Sequence, residues 1–232
     1  MSNNQIQIIL APDGCENAKG ICAVFDVLRA SSVQCHLHLV GAKKVIPQES
    51  IEETLKMKQQ NKDVIILGER GGDKVEGCDF GNSPSQILEN AKFIKDKICY
   101  HNTTAGTQAF NKCSQNKNVK EVLIASPNNL SATINYLKKF LGKCDICLVA
   151  AGDKGYCLED FLVCEYTKSL LIGETPKMNM NDIVSKVKNT TGAKFFKNIP
   201  YYPFVDFDIC FKMDIFNKII KFENGETIAY DA

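Results

Sequence analysis

The chain has 232 residues, of which 44% are apolar, and its 28 lysines and arginines nearly balance its 27 aspartates and glutamates. A net charge of +1 creates no long-range field for nucleic acid or an anionic membrane, and no apolar run approaches the length of a membrane span. The polar start, MSNNQ, has no signal-peptide pattern, so these features predict a cytoplasmic protein without nucleic-acid or membrane partners.

Short apolar runs alternate with longer amphipathic segments along the chain. Strands are predicted at 5–11, 21–26, 63–68, 97–101, 119–125 and 145–151. Helices are predicted at 28–41, 49–61, 83–95, 105–115, 129–141, 158–172 and 180–189. This alternation predicts an α/β fold in which helices cover both faces of a mainly parallel sheet.

Two local signals refine this prediction. Ser83 can cap the helix that follows it, with Pro84 in the first turn and Gln86 completing a capping box. Near the C-terminus, Asn224-Gly225 separates two β-like runs, which predicts a hairpin and therefore a mixed sheet at one edge. No linker, repeat or low-complexity tract interrupts the chain, so residues 1–232 are predicted to form a single domain.

Polar residues are concentrated directly after the predicted strands. The segments concerned are DVLRASS (26–32), ERGGDK (69–74), NTTAGT (102–107), SPNN (126–129) and GDKGYCLED (152–160). In an open parallel sheet these turns all lie at the carboxyl edge, which is where ligands bind. Their convergence predicts a functional site at that edge.

Both arginines of the chain, Arg29 and Arg70, lie in these turns, whereas the other 28 − 2 = 26 basic residues are lysines. The planar guanidinium fits carboxylate, sulfonate or phosphate by two parallel hydrogen bonds, which a lysine cannot do. We therefore predict that both arginines bind an oxyanion. The alternative is a pair of structural salt bridges.

Hydroxyl and glycine residues mark two further turns. In NTTAGT, the hydroxyls of Thr103, Thr104 and Thr107 and the backbone N–H groups near Gly106 would suit an anion, although helix capping explains them equally well. In GNSP (81–84), capping is the stronger interpretation.

Acidic side chains share the same predicted edge, and an oxygen-only ligand set suggests Mg²⁺. They are Asp26, Glu69, Asp73, Asp79, Asp153, Glu159 and Asp160. Asp26 and Glu69 end apolar strands, where a buried charge needs a partner, so they are the predicted metal ligands. Glu159 and Asp160 open a predicted helix, where acids also favour the helix dipole.

Several familiar sites are not found. No G-x-G-x-x-G follows a strand, no Cys-x₅-Arg loop is present, and the one Asp-x-Asp, Asp206–Asp208, does not follow a strongly apolar strand. His36 and His38 are predicted to be core or surface residues, and Cys144-x-x-Cys147 to lie on a strand without binding a metal. For a phosphate ester, a metal-bound water or Asp26 itself remains as nucleophile.

The motifs together resemble the 2-phosphosulfolactate phosphatases. They are FDVLRASS, GERGGDKVEGCDFGNSP, NTTAGT, AGDKGYCLED and the late DICFKMD, and they follow the family order over most of the chain. The resemblance implies a three-layer α/β/α fold with a mixed sheet. It also implies Mg²⁺-dependent hydrolysis of (2R)-2-phospho-3-sulfolactate to 3-sulfolactate and phosphate, a step of coenzyme M biosynthesis.

Carried over residue by residue, the resemblance implies roles at positions that match the family motifs. The implied catalytic residues are Asp26, Arg29, Arg70, Glu159 and Asp160. The implied substrate-binding residues are Arg29, Arg70, Asn82, Ser83, Thr103, Thr104, Gly106 and Thr107. Ala105 stands where the family often has Asn, so one amide is lost from that turn.

Two alternatives remain at this point. The chain could hydrolyse other 2-hydroxy-acid phosphates, or it could be a non-catalytic domain that binds a small anion. A homodimer is expected only because dimers are the commonest oligomers.

Overall fold

The computed structural model describes residues 5–152 and 157–232, which contain ten strands and nine α-helices. The strands are β1 (Ile6–Leu10), β2 (Gly20–Phe25), β3 (Lys44–Gln48), β4 (Ile65–Arg70), β5 (Asp73–Lys74), β6 (Ile98–Asn102), β7 (Val119–Ala125), β8 (Ile146–Ala150), β9 (Lys218–Glu223) and β10 (Glu226–Asp231). The helices are α1 (Ala30–Leu39), α2 (Ile51–Gln60), α3 (Pro84–Glu89), α4 (Ala91–Ile94), α5 (Gly106–Gln115), α6 (Leu130–Lys138), α7 (Leu158–Ile172), α8 (Met180–Lys188) and α9 (Phe204–Phe211). None of these helices is long and apolar enough to cross a membrane.

The strands form one sheet in the order β1-β8-β2-β7-β9-β10-β3-β6-β4-β5. β1, β8, β2 and β7 are parallel to one another, and β3, β6 and β4 form a second parallel group. Every residue of β2 and of β8 is buried, as expected for parallel strands that are covered by helices on both faces. The predicted three-layer α/β/α fold with a mixed, mainly parallel sheet is confirmed.

The C-terminal hairpin forms as predicted, with Asn224 and Gly225 at its turn, but its predicted position at a sheet edge is wrong. β9 pairs antiparallel with β7, and β10 pairs antiparallel with β3, so the hairpin joins the two parallel groups in the middle of the sheet. Its side chains explain this place: Ile219 and Ile220 are buried, and Ile220 belongs to the same apolar cluster as residues of β2 and β7.

Several other local features differ from the prediction. The helix predicted at 83–95 is interrupted at Asn90. The sequence does not predict β3, because this strand is short and contains Pro47. The strand predicted at 63–68 ends later, so that Glu69 and Arg70 lie on β4 and not in the turn after it. No element was predicted for α9 either. The Ser83 cap is confirmed, since its hydroxyl accepts a hydrogen bond from the Gln86 N–H. The Gln86 side chain does not complete a capping box, because its Oε1 accepts from the Gly81 N–H instead.

The segment between α8 and β9 covers one end of the sheet. It contains a 3-10 helix, Thr191–Phe196, followed by α9. Phe195 and Phe207 of this segment are buried and pack together with a ring-centroid distance of 6.0 Å. This packing brings polar residues of the same segment next to the carboxyl ends of the strands.

Candidate active site

A cavity of about 260 Å³ opens at the carboxyl edge of the sheet. It is lined by Asp26, Leu28, Arg29, Glu69, Gly71, Gly72, Asn82, Thr103, Thr104, Ala105, Ala151, Gly152, Cys157, Glu159, Asp160, Lys194 and Tyr202. The predicted convergence of the polar turns is therefore observed for the turns after β2, β4, β6 and β8. Asp153, which was considered as an acidic ligand, lies outside the described residues.

Asp26 and Glu69 line the same cavity although their strands are not neighbours. β2 and β4 belong to different parallel groups, with the hairpin between the groups. The turn between β6 and α5 links the two acids, because Thr104 N–H donates to Glu69 Oε1 at 2.8 Å and Gly106 packs against Asp26. A Cβ on Gly106 would lie 2.8 Å from Asp26 Oδ2 and 2.7 Å from the Ala30 Cβ, so only glycine permits this approach.

Asp26 is held by the start of α1. Its Oδ1 accepts a hydrogen bond from Ala30 N–H at 2.9 Å, whereas no donor from the described residues reaches Oδ2. Burial and the negative charges of Glu69 and Glu159 together raise the pKa of Asp26 to about 6, against the opposing effect of the Ala30 N–H. Asp26 is thus a carboxylate whose charge is not fully compensated by the protein.

Glu69 organises the wall of the cavity. In addition to the bond from Thr104, its Oε2 accepts a hydrogen bond from Gly72 N–H at 2.7 Å. Tyr202 donates from its hydroxyl to the Gly71 carbonyl at 3.0 Å, on the same turn. Glu69 therefore joins the turn after β4 to the turn after β6.

Glu159 and Asp160 come from the first turn of α7, as predicted. Asp160 Oδ1 accepts from Val27 N–H at 2.8 Å, and Glu159 accepts from the Thr191 hydroxyl. Burial raises the pKa of Asp160 well above its ordinary value, and the charges of Glu159 and Asp26 add to this effect. The acids of α7 and of β2 consequently share one electrostatic environment.

Arg29 lines the cavity and also forms a buried salt bridge, as the structural alternative expects, whereas oxyanion binding by Arg29 remains a prediction. Its Nη1 donates to Asp206 Oδ2 at 2.8 Å, and its Nη2 donates to the Gly72 carbonyl at 3.3 Å. Its Cζ lies 5.0 Å from the Tyr202 ring centroid and 5.5 Å from that of Phe195.

Arg70 is not brought to the cavity. It is exposed, and its guanidinium donates to the backbone carbonyls of Glu69 and Glu49, at 2.7 and 3.3 Å. The extension of β4 explains this placement, because successive strand residues point to opposite faces and only Glu69 faces the cavity.

Some residues of the hydroxyl-rich turns line the cavity, and others cap the helix that follows. Thr103 and Thr104 line the cavity, and Thr103 Oγ1 also accepts from Thr107 N–H at 3.2 Å, as a capping residue does. Thr107 and Ser83 do not line it. Ser83 instead donates from its hydroxyl to Asp206 Oδ1 at 3.0 Å.

Asn82 lines the cavity, and a buried chain of hydrogen bonds behind it orients its side-chain amide. Gln34 Nε2 can only donate, so at 2.9 Å it requires His101 Nδ1 to accept. The His101 proton is then on Nε2 and is donated to Asn82 Oδ1 at 3.0 Å. With Oδ1 occupied, the Asn82 amide N–H₂ is left for the cavity. Burial lowers the pKa of His101 to about 3, which keeps the ring neutral.

Three residues of the segment between α8 and β9 were missed. They are Lys194 and Tyr202, which line the cavity, and Asp206, which holds Arg29. The sequence could have indicated a structural role for Asp206, because an acid inside the apolar run FVDFDICF must find a partner when it is buried. No sequence feature distinguishes Lys194, since it is one of many lysines in the chain.

The donor set fits Mg²⁺ better than a metal that needs a protein cage. Among residues 5–152 and 157–232, no group of three or more His, Cys, Asp and Glu side chains is arranged to hold a metal ion by itself. Mg²⁺ needs only one or two carboxylates, because waters and the substrate complete its coordination. Asp26 Oδ2, which accepts no hydrogen bond from the described residues, could serve as such a ligand. The eleven cysteines, Cys144 and Cys147 among them, are free thiols.

Comparison with known proteins gives one consistent result. The family model described as 2-phosphosulpholactate phosphatase matches residues 9–225. A protein of Clostridium acetobutylicum named probable 2-phosphosulfolactate phosphatase is 30% identical, over 97% of this chain and 100% of its own length. A protein of the same name from Clostridium perfringens is 31% identical over 96% and 95% of the two chains, and one from Thermotoga petrophila is 39% identical over 68% and 65%.

Proposed function

The chain belongs to the 2-phosphosulfolactate phosphatase family and is a phosphoric monoester hydrolase, and from this premise we propose that it hydrolyses (2R)-2-phospho-3-sulfolactate to 3-sulfolactate and phosphate in the presence of Mg²⁺. The proposal rests on one observation above the others. Acidic and basic side chains that could bind a metal and a multiply charged small molecule line a single cavity at the carboxyl edge of the sheet. A place in coenzyme M biosynthesis, a cytoplasmic location and a homodimer remain predictions.

The charges of the cavity support a divalent cation. Two cationic side chains, Arg29 and Lys194, line the described part of the cavity together with four carboxylates, those of Asp26, Glu69, Glu159 and Asp160. An anionic substrate would be repelled by this excess of negative charge. Mg²⁺ would remove the repulsion, and we propose that Asp26 and Glu69 hold it, with Glu159 close by.

In this proposal, residues of the chain position the substrate and transfer protons. When bound, Mg²⁺ neutralises charge on the phosphoryl oxygens and lowers the pKa of a coordinated water. We propose that the Asn82 amide and the backbone N–H of Ala105, both in the cavity lining, donate to the phosphoryl oxygens. Water attacks phosphorus, and the bond from phosphorus to the C2 oxygen breaks. The released alkoxide takes a proton from an acidic side chain of the cavity, and the proton lost by the attacking water returns that side chain to its protonated form.

Asp160 is the residue best suited to provide that proton. Burial and the charges of Glu159 and Asp26 raise its pKa, which favours the protonated form that a proton donor needs. Water is the preferred nucleophile over Asp26, because Asp26 is assigned to the metal.

Phosphate release from a panel of monoesters tests the proposal. The panel contains 2-phosphosulfolactate, 2-phospholactate, phosphoglycolate and isopropyl phosphate, assayed after chelator treatment with and without added Mg²⁺. We expect 2-phosphosulfolactate to give the highest kcat/KM, and the rate to require Mg²⁺. A full rate in chelated enzyme would contradict the metal, and a higher kcat/KM with another acid would contradict the substrate.

Calorimetric titration of Mg²⁺ gives a readout that does not depend on turnover. Asp26→Asn should abolish or greatly weaken Mg²⁺ binding, whereas Asp73→Asn, an exposed acid on β5, should bind Mg²⁺ as the wild type does. Equal Mg²⁺ affinity in all three proteins would exclude Asp26 as a ligand.

A further inference from the structure

Lys194 is placed in the cavity by the 3-10 helix Thr191–Phe196 and by aromatic rings. Its Nζ lies 4.6 Å from the ring centroid of Tyr202 and 5.9 Å from that of Phe195. The Tyr202 ring is itself fixed, because its hydroxyl donates to the Gly71 carbonyl. The ammonium is thus held on an aromatic wall and half-buried.

Lys194 differs from Arg29 in the way its charge is compensated. The Arg29 guanidinium is 2.8 Å from the buried Asp206 carboxylate and also donates to a backbone carbonyl. In the described part of the chain, no carboxylate lies within 4.0 Å of Lys194 Nζ, and no hydrogen bond to it is formed. Among the described residues, Lys194 is therefore the cavity cation whose charge is not compensated by an ion pair.

Lys194 forms no ion pair with the acids of the described cavity, although its charge lowers the pKa values of Asp26 and Asp160. The transferred phosphoryl group has to lie next to Asp26 and the proposed metal. An ammonium that makes no ion pair with those acids is available to a different part of the substrate.

We infer that Lys194 binds the anionic group of the substrate that is not transferred, which is its carboxylate or its sulfonate. This inference rests on the proposed function and names the substrate class: a phosphate monoester with a second acidic group on the same short carbon skeleton. A compact ammonium acts as a point charge and accepts either acid, whereas it would give a neutral alkyl group no comparable contact. Lys194 is then a specificity-determining residue.

Inhibition by the two products separates the two ends of the site. Inorganic phosphate reports the phosphoryl end, and 3-sulfolactate reports the other end. In Lys194→Met we expect the inhibition constant of 3-sulfolactate to rise by about 10–150-fold, the range for a lost charge-assisted hydrogen bond. The inhibition constant of phosphate should stay within about twofold.

The chain offers a matched control. Lys188 also stacks on an aromatic ring, with Nζ 4.6 Å from the Phe196 centroid, but it is exposed and does not line the cavity. Lys188→Met should leave both inhibition constants unchanged, and Lys194→Arg should restore most of the affinity for 3-sulfolactate. An equal rise of both constants in Lys194→Met, or no rise in either, would overturn the inference.

Failure of the proposed function would be recognised separately. Turnover of the substrate panel by wild-type enzyme is measured first and does not involve Lys194. If another 2-phospho acid is the best substrate, the hydroxy acid that it releases replaces 3-sulfolactate as the inhibitor. The ratio of the two inhibition constants then shows in the same way whether Lys194 binds the acidic group that is not transferred.

Discussion

The Arg29 guanidinium and the Asp206 carboxylate form a buried ion pair, with 2.8 Å between Nη1 and Oδ2 and exposed side-chain fractions of 2% and 0%. The second oxygen of Asp206 accepts hydrogen bonds from the Ser83 hydroxyl and the Ser85 N–H, both at 3.0 Å. One carboxylate on α9 thereby fixes a cavity residue after β2 and the first turn of α3. Removing it leaves a buried guanidinium charge without its partner.

We therefore predict that Asp206→Asn lowers the free energy of unfolding by about 3–5 kcal/mol, the cost of breaking one side of a buried ion pair. Urea unfolding followed by circular dichroism measures this change. Asp208→Asn, which alters an exposed acid on the same helix, should change it by less than about 0.5 kcal/mol. Similar values for the two variants would show that the Asp206 carboxylate contributes little.

The two arginines should respond differently to replacement by lysine. Arg29→Lys loses part of a fork-shaped contact at the cavity and should lower kcat/KM by about 10–150-fold. Arg70→Lys changes an exposed residue bound to backbone carbonyls, so kcat/KM should fall by less than about threefold. Steady-state phosphate release decides between them, and a large loss in Arg70→Lys would place that residue at the substrate after all.

Gly106→Ala tests the close approach of α5 to Asp26. The added Cβ would press on Ala30 and on Asp26 Oδ2, and we expect a destabilisation of about 1–3 kcal/mol with a large loss of kcat. Gly81→Ala is the control, because its Cβ would meet no atom closer than 3.5 Å. Thermal melts and kinetics are measured on both proteins. Wild-type kcat in Gly106→Ala would mean that the Asp26 carboxylate tolerates displacement.

The hydrogen-bond chain behind Asn82 predicts opposite outcomes for two substitutions of His101. Gln can replace the Nε2 donor to Asn82, whereas Asn can replace only the Nδ1 acceptor facing Gln34. His101→Gln should keep kcat within about threefold of the wild type, and His101→Asn should lower it by about 10-fold or more, the effect of one misdirected hydrogen bond. Equal kinetics of the two variants would show that His101 does not orient Asn82.

Protonation of His101 should make the folded state sensitive to acid. Burial lowers its pKa from 6.5 to about 3, so the unfolded chain binds a proton more readily than the folded protein. Stability from this residue is complete above pH 6.5 and falls as the pH decreases toward 3. Between pH 7.5 and 5, His101→Gln should lose about 2 kcal/mol less unfolding free energy than the wild type.

Asp26 acts in the opposite sense in this experiment. Its raised pKa means that the folded state takes up a proton first, so its contribution to stability increases as the pH falls below about 6. The comparison of wild type with His101→Gln cancels this contribution, because both proteins contain Asp26. Parallel pH profiles for the two proteins would contradict a buried, neutral His101.

The sequence by itself determined the class of fold and much of the cavity. Alternating periodicity predicts strands and helices because it reports which face of each segment is buried, and this is a local property. Since parallel strands end at one edge, Asp26, Glu159 and Thr103 could be predicted to converge there, and they do. The ordered motifs also predicted the family to which the chain belongs.

Only the tertiary structure decided which distant segments meet. The hairpin β9–β10 lies in the middle of the sheet because its buried isoleucines are covered there, and no local pattern identifies its partners. Arg70 faces away from the cavity because β4 continues to it, which changes the side on which each residue lies. Lys194 lines the cavity and Asp206 holds Arg29 beside it, and both are positioned by the packing of their chain neighbours Phe195 and Phe207 against each other. Their place therefore depends on contacts between segments that are distant from the strands in sequence.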